Sequence, residues 1–147
     1  MDPLTALSVA TSVIQIVDFG SKLVSRAGEI YRSAEGFSVS SSALKATTTD
    51  LKVLLVRLED SLPLVTTNIP LTAEEVSLQA LAKGCGEVAR ELLTRLEKLK
   101  KSDKAGKWGS IRLALLSVWS EKEIQEVSAR LELYQRELDT SLLVSLR

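Results

Sequence analysis

From Leu4 onward, apolar residues return at helical spacing. Ala10, Val13, Val17, Gly20, Val24, Ala27 and Tyr31 fall three or four apart, and Val9, Ile16, Leu23 and Ile30 widen the stripe. The opposite face reads Ser8, Thr11, Gln15, Asp18, Lys22, Arg26 and Glu29, polar but uncharged in its first half and charged in its second. Asp2-Pro3 suits the start, a capping carboxylate followed by a proline whose missing N–H costs nothing there. The pattern predicts one long helix to about Ser33, closed by Glu35-Gly36.

The same period recurs three more times. Ser40-Ser41-Ser42 can cap a second helix with the stripe Leu44, Thr48, Leu51, Leu55, Leu58 and Leu62, which Pro63 ends or kinks. Thr72 and Glu75 have the spacing of a capping box, and Leu71 with Val76 that of a hydrophobic staple. They open a third helix through Leu78, Leu81, Cys85, Val88, Leu92, Leu96 and Leu99, followed by a Lys- and Gly-rich loop from Ser102 to Lys107. A short segment, Trp108 to Trp119, comes next. Ser120 and Glu123 then form a second capping box, and Ile124, Val127, Leu131, Tyr134 and Leu138 keep a heptad-like row. Leu142, Leu143, Val144 and Leu146 run to the end without a cap, which predicts a longer parent chain. No period-two stretch or hairpin turn interrupts this. The expected fold is all-α: a single domain over 1–147, an up-and-down bundle of four long helices plus a short fourth segment.

Composition narrows the function. Of 147 residues 45% are hydrophobic and only 4% aromatic, so the core is aliphatic. Nineteen basic residues balance 19 acidic ones, against the basic excess of a nucleic-acid binder. There is no histidine and one cysteine, which removes the commonest general base, the usual zinc ligands and any intrachain disulfide. No secretory leader is evident, and the uncharged run Pro3 to Val17 falls short of the ~20 mostly apolar residues of a membrane span. These features predict a cytoplasmic protein that is not an enzyme and carries no cofactor.

Candidate chemistry is sparse. Gly106-Lys107 lacks the flanking residues of a phosphate loop, since Trp108 follows and Lys101 stands where the first glycine belongs. Gly84-Cys85-Gly86 lies on an apolar stripe, so Cys85 reads as a buried inert thiol and the glycines as aids to close packing. The acids Glu121, Glu123, Glu126, Glu132, Glu137 and Asp139 interleave with Lys122, Arg130 and Arg136, the pattern of a solvated face. Lys98, Lys100, Lys101, Lys104 and Lys107, with Arg112, are either a solvated loop or a contact for anionic lipid headgroups. Trp108 and Trp119 nearby suit a membrane interface or plain core packing.

The first helix is the unusual one. Between Pro3 and Ser21 its only charge is Asp18, with Lys22 one turn on to pair with it. Ser, Thr and Gln replace the expected Lys and Glu, and these desolvate far more cheaply than charges. Such a helix could enter a bilayer when released from its bundle, or could be a central helix surrounded by neighbours.

The opening Met1-Asp2-Pro3-Leu4-Thr5-Ala6-Leu7-Ser8-Val9-Ala10, continued by Val17 to Val24 and Glu29-Ile30-Tyr31, resembles the N-terminal domains of fungal NOD-like receptors of the NACHT/STAND kind. So does the stretch Lys107-Trp108 through Ile111-Arg112, Ala114-Leu115 and Val118-Trp119-Ser120 to Ile124 and Arg130-Leu131. These domains are similar to the HeLo-like class, which includes executioner domains of mixed-lineage kinase-like pseudokinases and the coiled-coil domains of plant resistance proteins. The resemblance implies an effector of programmed cell death in heterokaryon incompatibility or innate immunity. It would form a homo-oligomer on activation by a downstream nucleotide-binding domain of the same chain, then relocate to the plasma membrane. Leu4, Leu7, Val9, Val13, Ile14, Ile16 and Val17 are the membrane-inserting candidates under this resemblance. With Ser8, Thr11, Ser12 and Gln15 among them, a polar-lined oligomeric pore fits better than a single hydrophobic span. The other reading is a helical protein-protein interaction domain, an adaptor with no membrane activity.

Overall fold

The computed structural model describes residues 3–32, 41–62, 72–103 and 118–145. Among these the regular elements are all helices: α1 (Pro3–Arg32), α2 (Ser41–Ser61), α3 (Ala73–Asp103) and α4 (Glu121–Ser145). The Asp2 cap, the Glu35-Gly36 stop, Ser40, Leu71 of the staple, residues 108–117 of the short segment and the chain end at 146–147 lie outside the described residues.

Each helix buries the stripe that its periodicity marks. Val9, Val13, Ile16, Val17 and Val24 of α1 meet Leu51 and Leu58 of α2, Leu81, Val88 and Leu92 of α3, and Val127, Leu131 and Leu138 of α4 in one core. The helices alternate in direction. Glu59 pairs with Arg90 and Lys52 with Glu97, so α2 runs antiparallel to α3. Glu123 pairs with Arg95 and Arg130 with Glu91, so α3 runs antiparallel to α4. In section the bundle is a rhombus. α1 and α3 touch across its short diagonal, and α2 and α4 flank them. The close approach is visible at Gly20, where a Cβ would stand 3.2 Å from Leu131 and 3.5 Å from Leu92. The up-and-down bundle expected from the sequence is the fold.

The capping signals are realised where they are described. The Glu75 N–H donates to Thr72 Oγ1 at 3.2 Å, and the Val76 N–H to the Thr72 carbonyl at 3.0 Å. At α4 the Glu123 N–H donates to Ser120 Oγ at 3.2 Å, and the Ser120 hydroxyl donates to Glu123 Oε1 at 3.0 Å.

One boundary and one face assignment need correction. Helix α3 runs to Asp103, so Ser102 and Asp103 belong to it and not to the loop. Lys100 and Lys101 in its last turn favour this extension, since cations there complement the carbonyl end of the helix dipole. Ser12, grouped above with the polar residues of α1, is buried, unlike Ser8, Thr11 and Gln15.

Candidate functional site

Helix α1 divides the membrane-inserting candidates in two. Val9, Val13, Ile16 and Val17 are core residues, at most 1% exposed. Leu4, Leu7 and Ile14 face outward, 78%, 64% and 43% exposed. Ser8, Thr11 and Gln15 share that outer face, so the first four turns display a solvent stripe without a charge. Beyond them Asp18, Ser21, Lys22, Ser25, Arg26 and Glu29 continue the stripe as an ordinary polar surface, with Lys22 Nζ 3.0 Å from Asp18. The amino-terminal half of α1 thus shows three large aliphatic side chains to water on one uncharged face.

Helical continuity also changes the length argument. The uncharged run ends at Val17, but Leu4–Ile30 is 27 residues long and, by length and composition alone, long and apolar enough to cross a membrane. It qualifies alone among the described helices. One third of that stretch is buried inside the bundle, which is also how the core helix of a water-soluble protein looks.

The lysine candidates lie elsewhere. Lys98, Lys100 and Lys101 occupy the last turns of α3, with Lys98 and Lys101 exposed and Lys100 half-buried. Lys104 and Lys107 lie outside the described residues. Ile30, Leu44, Leu99 and Trp119 wall one cavity, so the carboxy-terminal ends of α1 and α3 share one end of the bundle. At 1.5 Å per residue, Leu4 is roughly 40 Å away along α1. The exposed aliphatic residues and the lysines therefore do not form one site.

The polar face of α4 holds a feature that charge patterning did not separate from a solvated surface. Arg95 donates from Nη1 to the Val118 carbonyl and from Nη2 to Glu123 Oε2, both within the partly buried seam between α3 and α4. The Ser120 hydroxyl, then the Arg95 charge, hold the Glu123 carboxyl below the usual carboxylate range. Arg130 stands on the same seam, 3.4 Å from Glu91, 4.0 Å from Glu87 and 3.5 Å from the Tyr134 hydroxyl. The available signal was spacing. Glu87, Glu91 and Arg95 follow at four-residue intervals beside the apolar stripe of α3, in line to meet charges from a neighbour. This is a structural clamp that sets the start of α4.

Among the described residues catalytic groups do not converge. Cys85 is fully buried, and desolvation first, then the Glu137 charge, pushes its thiol up to about 12. A thiol so held is protonated at neutral pH and is no nucleophile. Gly84 beside it serves packing as expected, because a Cβ there would stand 2.6 Å from the Tyr134 hydroxyl. Among the described residues no group of three or more His, Cys, Asp or Glu could hold a metal ion. The heptad row of α4 is spent inside the bundle: Ile124, Val127, Leu131 and Leu138 are buried and Tyr134 is half-buried. Among the described residues, the uncharged outer face of α1 stands out for the exposed Leu4, Leu7 and Ile14. No family model, curated protein or solved structure matches the chain.

Proposed function

We propose that this bundle is a membrane-targeting effector domain of the HeLo-like kind, the cell-death module of a fungal NOD-like receptor, acting without catalysis. In this reading it is held in the cytoplasm as a folded bundle. A nucleotide-binding domain in the same chain gathers several copies, and α1 then engages the plasma membrane. The observation that supports it is the outer face of α1, where exposed Leu4, Leu7 and Ile14 stand among uncharged Ser8, Thr11 and Gln15 on a membrane-length helix. That face meets a bilayer or a like helix without stripping water from any charge. The same exposed leucines would also suit an amphipathic partner helix, which is the adaptor reading.

One experiment separates the two. The 147-residue chain is added to dye-loaded vesicles containing anionic lipid, as wild type and as Ser8→Glu with Gln15→Glu. Both positions are exposed, so circular dichroism should show an unchanged bundle. The wild type is expected to release dye and the double variant to release almost none, because two carboxylates must enter the bilayer or crowd a pore. Equal release by both proteins removes α1 from the mechanism. No release by the wild type leaves the adaptor reading in its place.

A further inference from the structure

Helix α2 is loosely packed at both ends. It lies at a corner of the rhombus, where α1 and α3 are its main neighbours. Near its start, Leu44 and Thr47 border a half-open hollow of about 120 Å³, shared with Ala27 and Ile30 of α1 and Leu96 and Leu99 of α3. Near its end, Leu58 and Leu62 border another of about 330 Å³, against Ala82 and Gly86 of α3. A Cβ on Gly86 would lie 3.7 Å from Leu58 Cδ2, an ordinary contact, so the glycine leaves space there unfilled. Side chains beside a void lose the dispersion contacts that a filled core would give them.

The sequence of α2 does little to hold it helical. Thr47, Thr48 and Thr49 stand in succession, with Val53 and Val56 after them, all β-branched and poor helix formers. Each threonine hydroxyl donates to the carbonyl four residues back, at 3.0, 2.8 and 2.9 Å, a bond that competes with the helix ladder. Thr48 puts such a hydroxyl on the core stripe itself, 1% exposed. Glu59 and Asp60 fall at the negative end of the helix dipole, and the first turn has no acid. By contrast α3 has charges of the favourable sign at both ends, and α4 has them at its start. Two ion pairs tie α2 to α3, Lys52 to Glu97 and Glu59 to Arg90. All four side chains are about half exposed, so each pair is worth little. Helix α1 is also rich in β-branched residues, but α2, α3 and α4 all pack against it. Helix α4 has the partly buried Arg95–Glu123 clamp.

We infer that α2 is the detachable helix of this bundle, a cover that opens as a unit while α1, α3 and α4 stay packed. Its opening bares Ala27 and Ile30 of α1 and Leu96 and Leu99 of α3, all buried in the closed bundle. Moving elements are drawn from such low-stability units, which open below the free energy of global unfolding. The inference is independent of the membrane reading, since it names the helix that leaves first and not what the opened bundle meets.

The test is native-state hydrogen exchange of the ¹⁵N-labelled 147-residue chain, read amide by amide and corrected for intrinsic rates. In the wild type the amides of residues 48–60 are expected to exchange together, about tenfold or more faster than the slowest amides of α3 and α4. Val127→Ala, a cavity in the α4 core, should speed those slowest amides by weakening the whole bundle. It should leave α2 unchanged, because α4 stays packed while α2 opens. Thr49→Ala with Asp60→Lys, both at exposed positions, should slow the α2 amides roughly fivefold. Wild-type α2 amides as protected as those of α3 and α4 would overturn the proposal. So would α2 amides that speed up with the rest in Val127→Ala, because α2 would then open only as the whole chain unfolds. An unchanged α2 rate in the double variant would overturn it as well.

Discussion

Ser120 shows how much one side chain can organise. Its Oγ caps α4 by accepting from the Glu123 N–H and also donates to the Glu123 carboxylate, which in turn holds Arg95 of α3. Ser120→Ala should therefore cost more than an isolated cap, about 1–2 kcal/mol in urea unfolding. The pH dependence follows from Glu123. Its folded-state pKa lies below the ordinary value of 4.5. The stabilisation it gives is therefore fully present above the ordinary carboxylate range and lost as pH falls through the folded value. Glu123→Gln should flatten that part of the stability–pH curve, and a curve of unchanged slope would mean the clamp is not formed in solution. The capping pair itself was legible as Ser-x-x-Glu spacing. Its link to Arg95 was not, because a residue 28 positions away comes into reach only once α3 and α4 are packed.

At the scale of the element, four helices could be read from the chain because each carries a long stripe of period 3.6 whose apolar positions became the core. What the stripes could not give was which polar positions border a neighbour. Arg130 and Glu132 look alike in the sequence, yet Arg130 lies in the seam and Glu132 is exposed. Gly84 belongs to the same problem. In a helix interior glycine costs roughly 1 kcal/mol relative to alanine, so its presence wants a reason. The reason is Tyr134 of α4, whose hydroxyl would lie 2.6 Å and ring carbon Cζ 2.8 Å from a Cβ at that position. Gly84→Ala should thus destabilise despite its better propensity, by about 1–2 kcal/mol after the two effects offset. Tyr134→Phe removes the nearest atom. In the double variant the alanine should cost less than it does alone, and a double-mutant cycle with no coupling would place the α3–α4 contact elsewhere.

For the whole molecule, the outer and inner faces of α1 make opposite demands, and the core face offers the sharper test. Val9, Val13, Ile16 and Val17 hold α1 to the other three helices, and they are also the residues that a bilayer would receive if α1 left them. Val13→Ala removes two buried methyl groups and should cost about 2 kcal/mol, lowering Tm by roughly 4–8 °C. The two functional readings then diverge in sign. If α1 must leave the bundle to act, weaker packing raises the population of the open form, and vesicle leakage should become faster. If the intact bundle is what binds a partner, the same change can only weaken the activity. Cys85 gives an internal measure of opening, because its thiol is fully buried and held protonated. In the folded chain it should resist alkylation at pH 8, and Val13→Ala should speed its modification in step with any gain in leakage. Faster alkylation with slower or unchanged leakage would show that opening is not the productive step, and that α1 acts, if at all, from its place in the bundle.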